Sequence, residues 1–217
     1  MSHMSAKKMT PAERKRHWEE VYRSKPAVET SWYQAEPSMS LAMIRRTGAR
    51  PDQGVIDVGG GASLLVDRLL ALGYRDLTVL DLSAEAMEQA QRRLGAAARR
   101  VQWVAADVTE YSPQRHFEVW HDRAAFHFLT DPRDRERYVG VLRSALRPGG
   151  QAIIAAFAPD GPERCSGLEI VRYDANALGA VLGDAFRLVE ERRETHRTPL
   201  GREQRFGFFR FTYTGAR

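Results

Sequence analysis

The sequence predicts an α/β fold in which a mostly parallel sheet carries helices on both faces and ends in an antiparallel hairpin. After residue 48, short apolar β-branched segments alternate with segments of helical length, the pattern of parallel strands joined by crossover helices. The chain has 217 residues, of which 43% are hydrophobic and 28% charged, as expected of one globular domain. The last third contains two long β-type segments close together, which favours a hairpin.

The N-terminal part is predicted to be helical. Thr10-Pro11-Ala12-Glu13 has the pattern of a capping box with proline at the first helical position, so we expect a helix with Trp18, Val21 and Tyr22 on one face. A loop over 24–37 and a short helix over 38–46 follow. We read residues 1–9 as a tag remnant and flexible tail, 10–47 as a helical cover segment, and 48–217 as the main domain.

The main domain is predicted from its apolar runs and capping residues. Its strands are expected at 55–58, 77–80, 101–105, 117–121 and 151–157, and its first three helices at 63–72, 83–94 and 132–146. A turn at 147–150 precedes the fifth strand. A long loop over 158–173, a helix over 174–182 and two strands over 186–196 and 204–213 complete the chain.

Composition and charge exclude several classes of protein. No apolar run approaches the ~20 residues that cross a bilayer, so no membrane partner is expected. Cys165 is the only cysteine, which excludes an internal disulfide and makes a cytoplasmic location the expectation. The net charge is +5, but basic and acidic residues are interleaved, so a nucleic-acid partner is not expected. No His/Cys pair has metal-ligand spacing, and both a monomer and a homodimer remain open.

The stretch VIDVGGGASLL, residues 55–65, places three glycines between the first strand and the first helix. In open α/β sheets such a turn marks the ligand site, beyond the carboxyl ends of the strands. The dinucleotide fingerprint needs glycines at three spaced positions. Gly59 and Gly61 satisfy two of them, but the third is Leu64, so the match to a pyrophosphate cradle is incomplete.

Three carboxylates follow successive strands near this turn. Asp57 precedes the glycines, Asp81 ends the second strand and Asp107 ends the third. Asp81 is suited to accept hydrogen bonds from ribose hydroxyls and Asp107 from an adenine amine. So much acid would repel phosphates, and a ligand with an amino-acid end, a ribose and an adenine but no phosphate fits better.

The ordered series VIDVGGGAS, LTVLDLS, WVAADV, FEVWHDR and LRPGGQAII resembles the motifs of class I S-adenosylmethionine-dependent methyltransferases, over about residues 50–217. The resemblance implies S-adenosylmethionine as cofactor and a Rossmann-like, seven-stranded sheet with one reversed strand. Ser63, where many members have glycine, is expected to cap the helix.

The resemblance also implies which residues contact the cofactor. Gly59 and Gly61 would admit the methionine part near Asp57, and Asp81 would hold the ribose. The residues implied at the adenine are Leu82, Asp107 and Val108.

The head segment HWEEVYRSKPAVETSWYQAEPSMSL resembles the N-terminal covers of thiopurine, thiol and small lysine methyltransferases. The resemblance implies that Trp32 and Tyr33 cover the cofactor and exclude water. Ordinary packing of these aromatics between helix and sheet is the alternative, as core packing is for Leu82.

Candidate substrate-facing residues follow the fourth strand, in HDRAAFHFL. Asp122 and Arg123 occupy the place where related enzymes face the transferred methyl, and His127 is a candidate base or substrate contact, with a packed helix histidine as the alternative. The long loop over 158–173 is a candidate lid or binding loop. Within it, Cys165 is a candidate participant or a small buried hydrophobic residue, and Arg172 is a candidate for holding an anionic group or for capping the sheet edge. Weaker candidates are His17, His116, His121, His196 and Arg197.

These observations together predict a methyltransferase acting on a small molecule, with a thiol or another soft nucleophile as the candidate acceptor. Methylation of a protein lysine is the first alternative and would require an open acidic trough, whereas a small-molecule enzyme would have an enclosed pocket. A protein that binds the cofactor without transferring its methyl is a second alternative, and an NAD-dependent oxidoreductase is a third.

Overall fold

The computed structural model describes residues 9–215, which contain six α-helices and nine strands. The helices are α1 (Pro11–Ser24), α2 (Ser38–Arg46), α3 (Leu65–Ala71), α4 (Ala84–Leu94), α5 (Pro132–Ala145) and α6 (Ala175–Leu182). The strands are β1 (Val55–Val58), β2 (Leu77–Asp81), β3 (Val101–Ala105), β4 (Phe117–Arg123), β5 (Leu146–Phe157), β6 (Arg164–Cys165), β7 (Leu168–Glu169), β8 (Phe186–Arg197) and β9 (Glu203–Tyr213). The predicted tag remnant and tail, apart from its last residue, falls outside the described residues.

Seven strands form one sheet in the order β3-β2-β1-β4-β5-β9-β8. The pairs from β3 through β5 are all parallel, whereas β9 runs antiparallel to both β5 and β8. The predicted seven-stranded, mostly parallel sheet with one reversed strand and a C-terminal hairpin is thereby confirmed. The strand order reverses between β1 and β4, and the crevice at such a point is where ligands bind in open α/β sheets.

The register of the parallel strands brings their carboxyl ends to one edge of the sheet. Val58 of β1 lies beside Leu80 of β2 and Asp122 of β4, and Asp81 of β2 lies beside Ala105 of β3. The residues that follow these strands therefore gather in one region, which is where the glycine loop and the predicted carboxylates are found.

The core has two layers, one on each face of the sheet, because neighbouring strand residues point to opposite sides. Ile56, Trp120 and Phe209 pack in the layer that includes α5 and α6. Their neighbours in sequence, Val55, Val119 and Phe208, pack in the layer that includes α2 and α3. Burial on both faces explains why these strands read as continuous apolar runs.

Helix starts follow the predicted capping chemistry. At α1, the Thr10 hydroxyl accepts a hydrogen bond from the Glu13 amide at 3.2 Å and the Glu13 carboxylate accepts one from the Thr10 amide at 2.8 Å. At α4, the Ser83 hydroxyl accepts from the amide of Ala86 at 3.1 Å. The expectation that Ser63 caps α3 is wrong, because the helix begins two residues later than predicted and Leu64 holds the N-cap position; the Ser63 hydroxyl still accepts a hydrogen bond from the Leu65 amide at 3.1 Å.

Two connections differ from the prediction. The predicted turn at 147–150 belongs to β5, because Leu146 already pairs with Phe117; the register then shifts before Gln151 pairs with Val119. The Pro-Gly-Gly sequence therefore produces an irregularity within a strand. The predicted loop over 158–173 contains the β6–β7 hairpin. Within the described part of the chain, no helix has the length and apolar character needed to span a bilayer.

Candidate active site

Two adjoining cavities lie at the carboxyl ends of the strands, beneath the head segment. The larger extends over about 870 Å³, counted to its opening, and the smaller over about 530 Å³. Tyr22, Trp32, Gly59 and Arg123 line both cavities. Of the other predicted site residues, those that line the larger cavity are Asp81, Leu82, Asp107 and Val108, and Asp57 lines the smaller one. Gly61, Asp122 and His127 line neither.

The glycine loop is packed too tightly for side chains. A Cβ on Gly59 would lie 2.8 Å from a neighbouring alanine, one on Gly60 2.5 Å from Oδ2 of Asp57, and one on Gly61 2.6 Å from Oδ2 of Asp81. Gly59 and Gly61 also have φ of +69° and +26°, which favour glycine. Gly60, which the sequence analysis did not single out, lines the smaller cavity. Gly61 lines neither cavity, but its lack of a side chain lets the loop pack directly against the carboxylate of Asp81.

Asp81 is buried at the end of β2, and its surroundings provide few donors. Its Oδ1 accepts a hydrogen bond from the Ser83 amide at 2.8 Å, and the Gly61 amide also donates to the carboxylate. Burial, with a smaller contribution from the charge of Asp57, raises the pKa of Asp81 to about 7. A buried carboxylate on a cavity wall with spare acceptor capacity is suited to hydroxyl donors.

Asp57 forms a buried polar chain with two residues from other elements. Its Oδ1 is 2.7 Å from Nδ1 of His121, and Nε2 of the same ring is 2.9 Å from the Ser40 hydroxyl. His121 had only a weak claim from sequence, and the structure places it as the partner that orients Asp57. The other oxygen, Oδ2, lies against the glycine loop at Gly60, on the side of the smaller cavity.

Asp107 is held by a salt bridge that local sequence pattern did not predict. Its Oδ2 accepts hydrogen bonds from Nη2 and Nε of Arg14 at 2.8 and 3.3 Å, and its Oδ1 accepts from the amide and hydroxyl of Thr109 at 2.9 and 2.7 Å. Burial alone would raise the pKa of Asp107, but these hydrogen bonds outweigh it and keep the pKa below its ordinary value. A carboxylate offers about four acceptor sites, and all are used here.

Arg123 is the cation at the opposite end of the larger cavity. Its Nη1 donates to the carbonyl of Trp32 at 3.0 Å, and its guanidinium lies 4.8 Å from the ring centroid of Phe206. The next residue, Ala124, has φ of 68°, a strained conformation for a residue with a Cβ. Ala124 and Cys165 also line this end of the cavity.

Asp122 is fully buried and belongs to the scaffold around that turn. Its carboxylate accepts hydrogen bonds from the amides of Ala125 and Phe126 and, at 2.8 Å, from the hydroxyl of Tyr138. Burial raises its pKa to about 6. The predicted role facing the transferred methyl therefore does not suit Asp122, because its oxygens point into the turn that positions Arg123.

His127 is likewise buried away from both cavities. It packs against Phe128 and Phe157, with ring centroids 4.5 and 4.8 Å away, and its Nδ1 accepts a long hydrogen bond of 3.4 Å from the Phe157 amide. Burial and the nearby charge of Arg123 lower its pKa to about 3, so the ring stays neutral. These contacts favour the packed-histidine alternative over a base.

The loop over 158–173 contributes Cys165 of β6 to the larger cavity, and burial raises the pKa of this thiol to about 11. Arg172 lies outside the cavity, where it pairs with Glu163 at 3.2 Å. Next to Cys165, the Ser166 hydroxyl lies 3.4 Å from Nε2 of His17 on α1. The loop and the head segment thus meet over the site.

The head segment is fastened at several points. Nε1 of Trp32 donates to the Tyr22 hydroxyl at 3.0 Å, and both aromatics line the larger cavity. The Glu19 carboxylate accepts hydrogen bonds from the amides of Ala84 and Glu85 at the start of α4, at 2.9 and 3.3 Å. An anion at a helix N-terminus is favourable, so α1 is anchored beside the β2 end of the site.

Comparison with known proteins finds similarity to methyltransferases. Residues 55–150 match a family model described as a methyltransferase domain. The structure is similar to one described for conversion of a disulfide bond into a thioacetal group during echinomycin biosynthesis (TM-score 0.75, 19% identity, 92% of each chain). It is also similar to the Burkholderia thailandensis 1,6-didemethyltoxoflavin-N1-methyltransferase with bound S-adenosylhomocysteine (TM-score 0.69, 21% identity, 97% of this chain and 93% of that one).

Residues 55–150 are thus similar to methyltransferase domains, and the fold is that of solved S-adenosylmethionine-dependent methyltransferases. The eEF1A lysine and N-terminal methyltransferase of Mus musculus is 24% identical over 149 residues, which are 65% of this chain and 21% of that protein. The chain spans 21% to 47% of the length of the curated relatives that it matches. Because similar structures contain bound S-adenosylhomocysteine, S-adenosylmethionine is the cofactor to test against the cavities.

The residues that line the cavities fit this cofactor. The glycine loop leaves backbone exposed where side chains would collide with Asp57 and Asp81, and Asp81 keeps acceptor capacity for ribose hydroxyls. At the expected adenine position, Asp107 is less available as an acceptor than the sequence suggested. Because Arg14 and Thr109 already use the acceptor sites of Asp107, an adenine amine would reach that carboxylate only if Arg14 gave way.

Proposed function

We propose that the protein is an S-adenosylmethionine-dependent methyltransferase that transfers a methyl group to a small-molecule nucleophile, with a thiol or another soft atom as the favoured acceptor. The observation that carries the proposal is the character of the acceptor end of the larger cavity. Aromatic side chains, the Cys165 thiol and the cation of Arg123 line it, beneath Trp32 and the loop over 158–173. The two carboxylates among the described lining residues, Asp81 and Asp107, lie at the ends of β2 and β3 instead.

The proposed cofactor contacts follow from the placement of these groups. Asp81 would hold the ribose hydroxyls, Leu82 and the backbone around Val108 would lie against the adenine, and Asp57 would accept from the amino group. When bound, S-adenosylmethionine would supply a methyl group activated for transfer by its attachment to a positively charged sulfur. The protein would align the acceptor with the methyl carbon and exclude water. Such alignment supplies much of the rate acceleration in well-oriented systems.

The acceptor end provides no evident proton acceptor at neutral pH among the described residues. The thiol of Cys165 has its pKa raised to about 11 by burial, and His127 lies off the cavity wall with its pKa lowered to about 3. A general base is needed only when the nucleophile arrives protonated. The site therefore favours an acceptor that is readily deprotonated in solution, such as a thiol, over an alcohol. The similar structure described for conversion of a disulfide bond into a thioacetal group also concerns a sulfur group.

Protein lysine methylation is the second candidate, because relatives named as eEF1A lysine and N-terminal methyltransferases match the chain. A lysine substrate carries a positive charge, and a site for it needs acidic groups along its path. Arg123, with its side chain 11% exposed, places a cation where that ammonium would arrive. Like charges in a setting of low polarity repel strongly, so this arrangement supports a small-molecule acceptor.

A cofactor-binding protein without transferase activity and an NAD-dependent oxidoreductase each have a direct test. Single-turnover assay with labelled cofactor separates an enzyme from a protein that only binds the cofactor. A larger thermal shift with NAD than with S-adenosylhomocysteine would revive an oxidoreductase, which Leu64 at the third glycine position disfavours.

Incubation of the protein with methyl-labelled S-adenosylmethionine and a cell lysate tests the proposed function. We expect label in the small-molecule fraction, with transfer increased by added thiols. An Asp81→Ala variant serves as the control for transfer that does not use the site. Label confined to the protein precipitate would favour the lysine alternative and contradict the proposal.

A further inference from the structure

Arg123 is a buried cation whose hydrogen-bonding capacity is mostly unused. Its side chain is 11% exposed, and the one hydrogen bond that the described residues provide runs from Nη1 to the Trp32 carbonyl at 3.0 Å. Burial lowers its pKa only to about 10, so the group stays charged at neutral pH. A charge buried this far is costly unless hydrogen bonds satisfy it, and the carboxylate of Glu194 comes no nearer to it than 4.0 Å. An anion that accepted hydrogen bonds from the unused donors would stabilise this buried charge.

The unused donors lie along one edge of the guanidinium. Nε and Nη2 have no hydrogen-bond partner within residues 9–215 and are shielded from solvent. These two nitrogens present parallel N–H groups, the geometry that binds both oxygens of a carboxylate. Oε2 of Glu194 is 4.0 Å from Nη2, which is too long for a hydrogen bond, and both oxygens of Glu194 accept from Nε2 of Gln34 at 3.2 Å.

A second unpartnered group lies on the wall of the same cavity. Oε1 of Gln204 is buried and has no donor among the described residues. Phe128, Leu129 and Phe206 supply apolar surface to this cavity. The acceptor end therefore combines an anion-binding edge, a hydrogen-bond acceptor and an apolar wall.

We propose that the free edge of Arg123 binds a carboxylate of the methyl acceptor, so that the substrate is a small organic acid with an apolar body. The inference rests on the proposed function, because it assigns the substrate class of the same site. The Gln204 oxygen would accept a hydrogen bond from an N–H or O–H of the same molecule. Arg123 thus takes the anion-binding role for which Arg172 was also a candidate, because Arg172 pairs with Glu163 outside the cavity.

The cofactor also has a carboxylate, and Arg123 borders both cavities. Three residues of the larger cavity favour the acceptor as the source. Phe206, against which the guanidinium stacks, lines the larger cavity and not the smaller one, as do Gln204 and Cys165. The contact with Phe206 therefore associates Arg123 with the larger cavity.

Calorimetric titration of the protein saturated with S-adenosylhomocysteine tests the proposal without requiring turnover. The probes are benzoate, phenylacetate and 4-mercaptobenzoate, each compared with its primary amide. We expect at least one acid to bind about tenfold or more tightly than its amide, the ratio that one charge-assisted pair provides. Arg123→Met should abolish the ratio and Arg123→Lys should reduce it, whereas Arg172→Met, an equivalent change outside the cavity, should preserve it.

Each other outcome overturns the proposal. Equal binding of every acid and amide, or an acid preference that survives in Arg123→Met, would exclude Arg123 as the acceptor's anion site. A loss of S-adenosylhomocysteine affinity of more than about tenfold in Arg123→Met, with the acid preference retained, would assign the residue to the cofactor carboxylate. If the Met variant does not fold, the wild-type ratio and the Lys variant decide. Acid binding without methyl transfer to any acceptor would instead contradict the proposed function.

Discussion

Asp81 links the electrostatics of the protein to cofactor binding. Its carboxylate is buried on the wall of the larger cavity, and burial raises its pKa to about 7. Ribose hydroxyls would donate to the ionised form, so their binding stabilises the charged state and lowers the pKa again. The residue therefore couples cofactor affinity to proton release.

The affinity for S-adenosylhomocysteine should rise with pH through the range around 7. Below the pKa of about 7 the free carboxyl is protonated, and binding must release that proton; above it the carboxylate is ready and the affinity levels off. At the acidic limit the affinity should fall about tenfold per pH unit. Calorimetry at several pH values, in buffers of different ionisation enthalpy, measures both the affinity and the proton release.

The matched variant is Asp81→Asn, which keeps the shape but cannot titrate. Its affinity should be lower than that of the wild type at pH 8 and nearly independent of pH between 6 and 8. A pH profile in the variant like that of the wild type would assign the titration to another group.

At the scale of single residues, local pattern predicted some site members and missed others. The positions of Asp57 and Asp81 on the cavity walls followed from the sequence, because carboxylates at the ends of parallel strands meet at one edge. The Arg14–Asp107 pair spans 93 positions in the sequence, and nothing local signals it. The sequence also did not predict that Asp122 and His127 are buried, because the turn around Ala124 determines which side chains of this stretch face the cavity.

The glycine loop is the element that sets how closely a ligand approaches β1 and β2. Gly61→Ala should destabilise the protein by about 1–3 kcal/mol from its positive φ, with an added cost from contact with Asp81, and should weaken S-adenosylhomocysteine binding. The control is Gly140→Ala, in an exposed turn of α5 with nothing within 4 Å of the added Cβ. That change should stabilise by about 0.5–1 kcal/mol. Urea unfolding measures both, and destabilisation of equal size in the two variants would contradict this role of the loop.

Helix α1 is fastened to the main domain by Arg14, which bridges Asp107 and Asp134 at 2.8 and 2.6 Å. Removing one partner of a buried ion pair typically costs on the order of 3 kcal/mol. Arg14→Met should therefore increase amide hydrogen exchange in α1 by about tenfold or more. Arg23→Met, on the same helix in an exposed pair with Glu20, should change it little. Equal protection of α1 in both variants would show that the helix does not depend on Arg14.

At the scale of elements, helices and strands were predicted best where a capping residue or an apolar run marks a boundary. The starts of α1 and α4 follow from Thr10 and Ser83, and β1 and β3 were predicted to the residue. The turn predicted at the Pro-Gly-Gly stretch was wrong, because pairing with β4 keeps these residues within β5. The β6–β7 hairpin was missed because each of its strands has two residues, too short for any periodicity.

At the scale of the whole molecule, alternating strands and helices determined the order of the sheet, and that order creates the site. The β1–β4 neighbours, with the glycine loop above them, are brought together by a crossover that no single motif contains. The shape of the acceptor end was not predictable, because it is assembled from the head segment, the end of β4, the loop over 158–173 and β9. The class of acceptor therefore depends on where the fold places Arg123, which no local pattern specifies.

The central claim is that the carboxyl ends of β1 to β3 bind S-adenosylmethionine through Asp81. Calorimetric titration of the wild type and Asp81→Ala with S-adenosylhomocysteine, alongside NAD, tests it most directly. The claim predicts one saturable site for S-adenosylhomocysteine, a loss of affinity of about tenfold or more in Asp81→Ala, and no comparable binding of NAD. Tight binding of NAD alone, or equal affinities of the two proteins for S-adenosylhomocysteine, would contradict it.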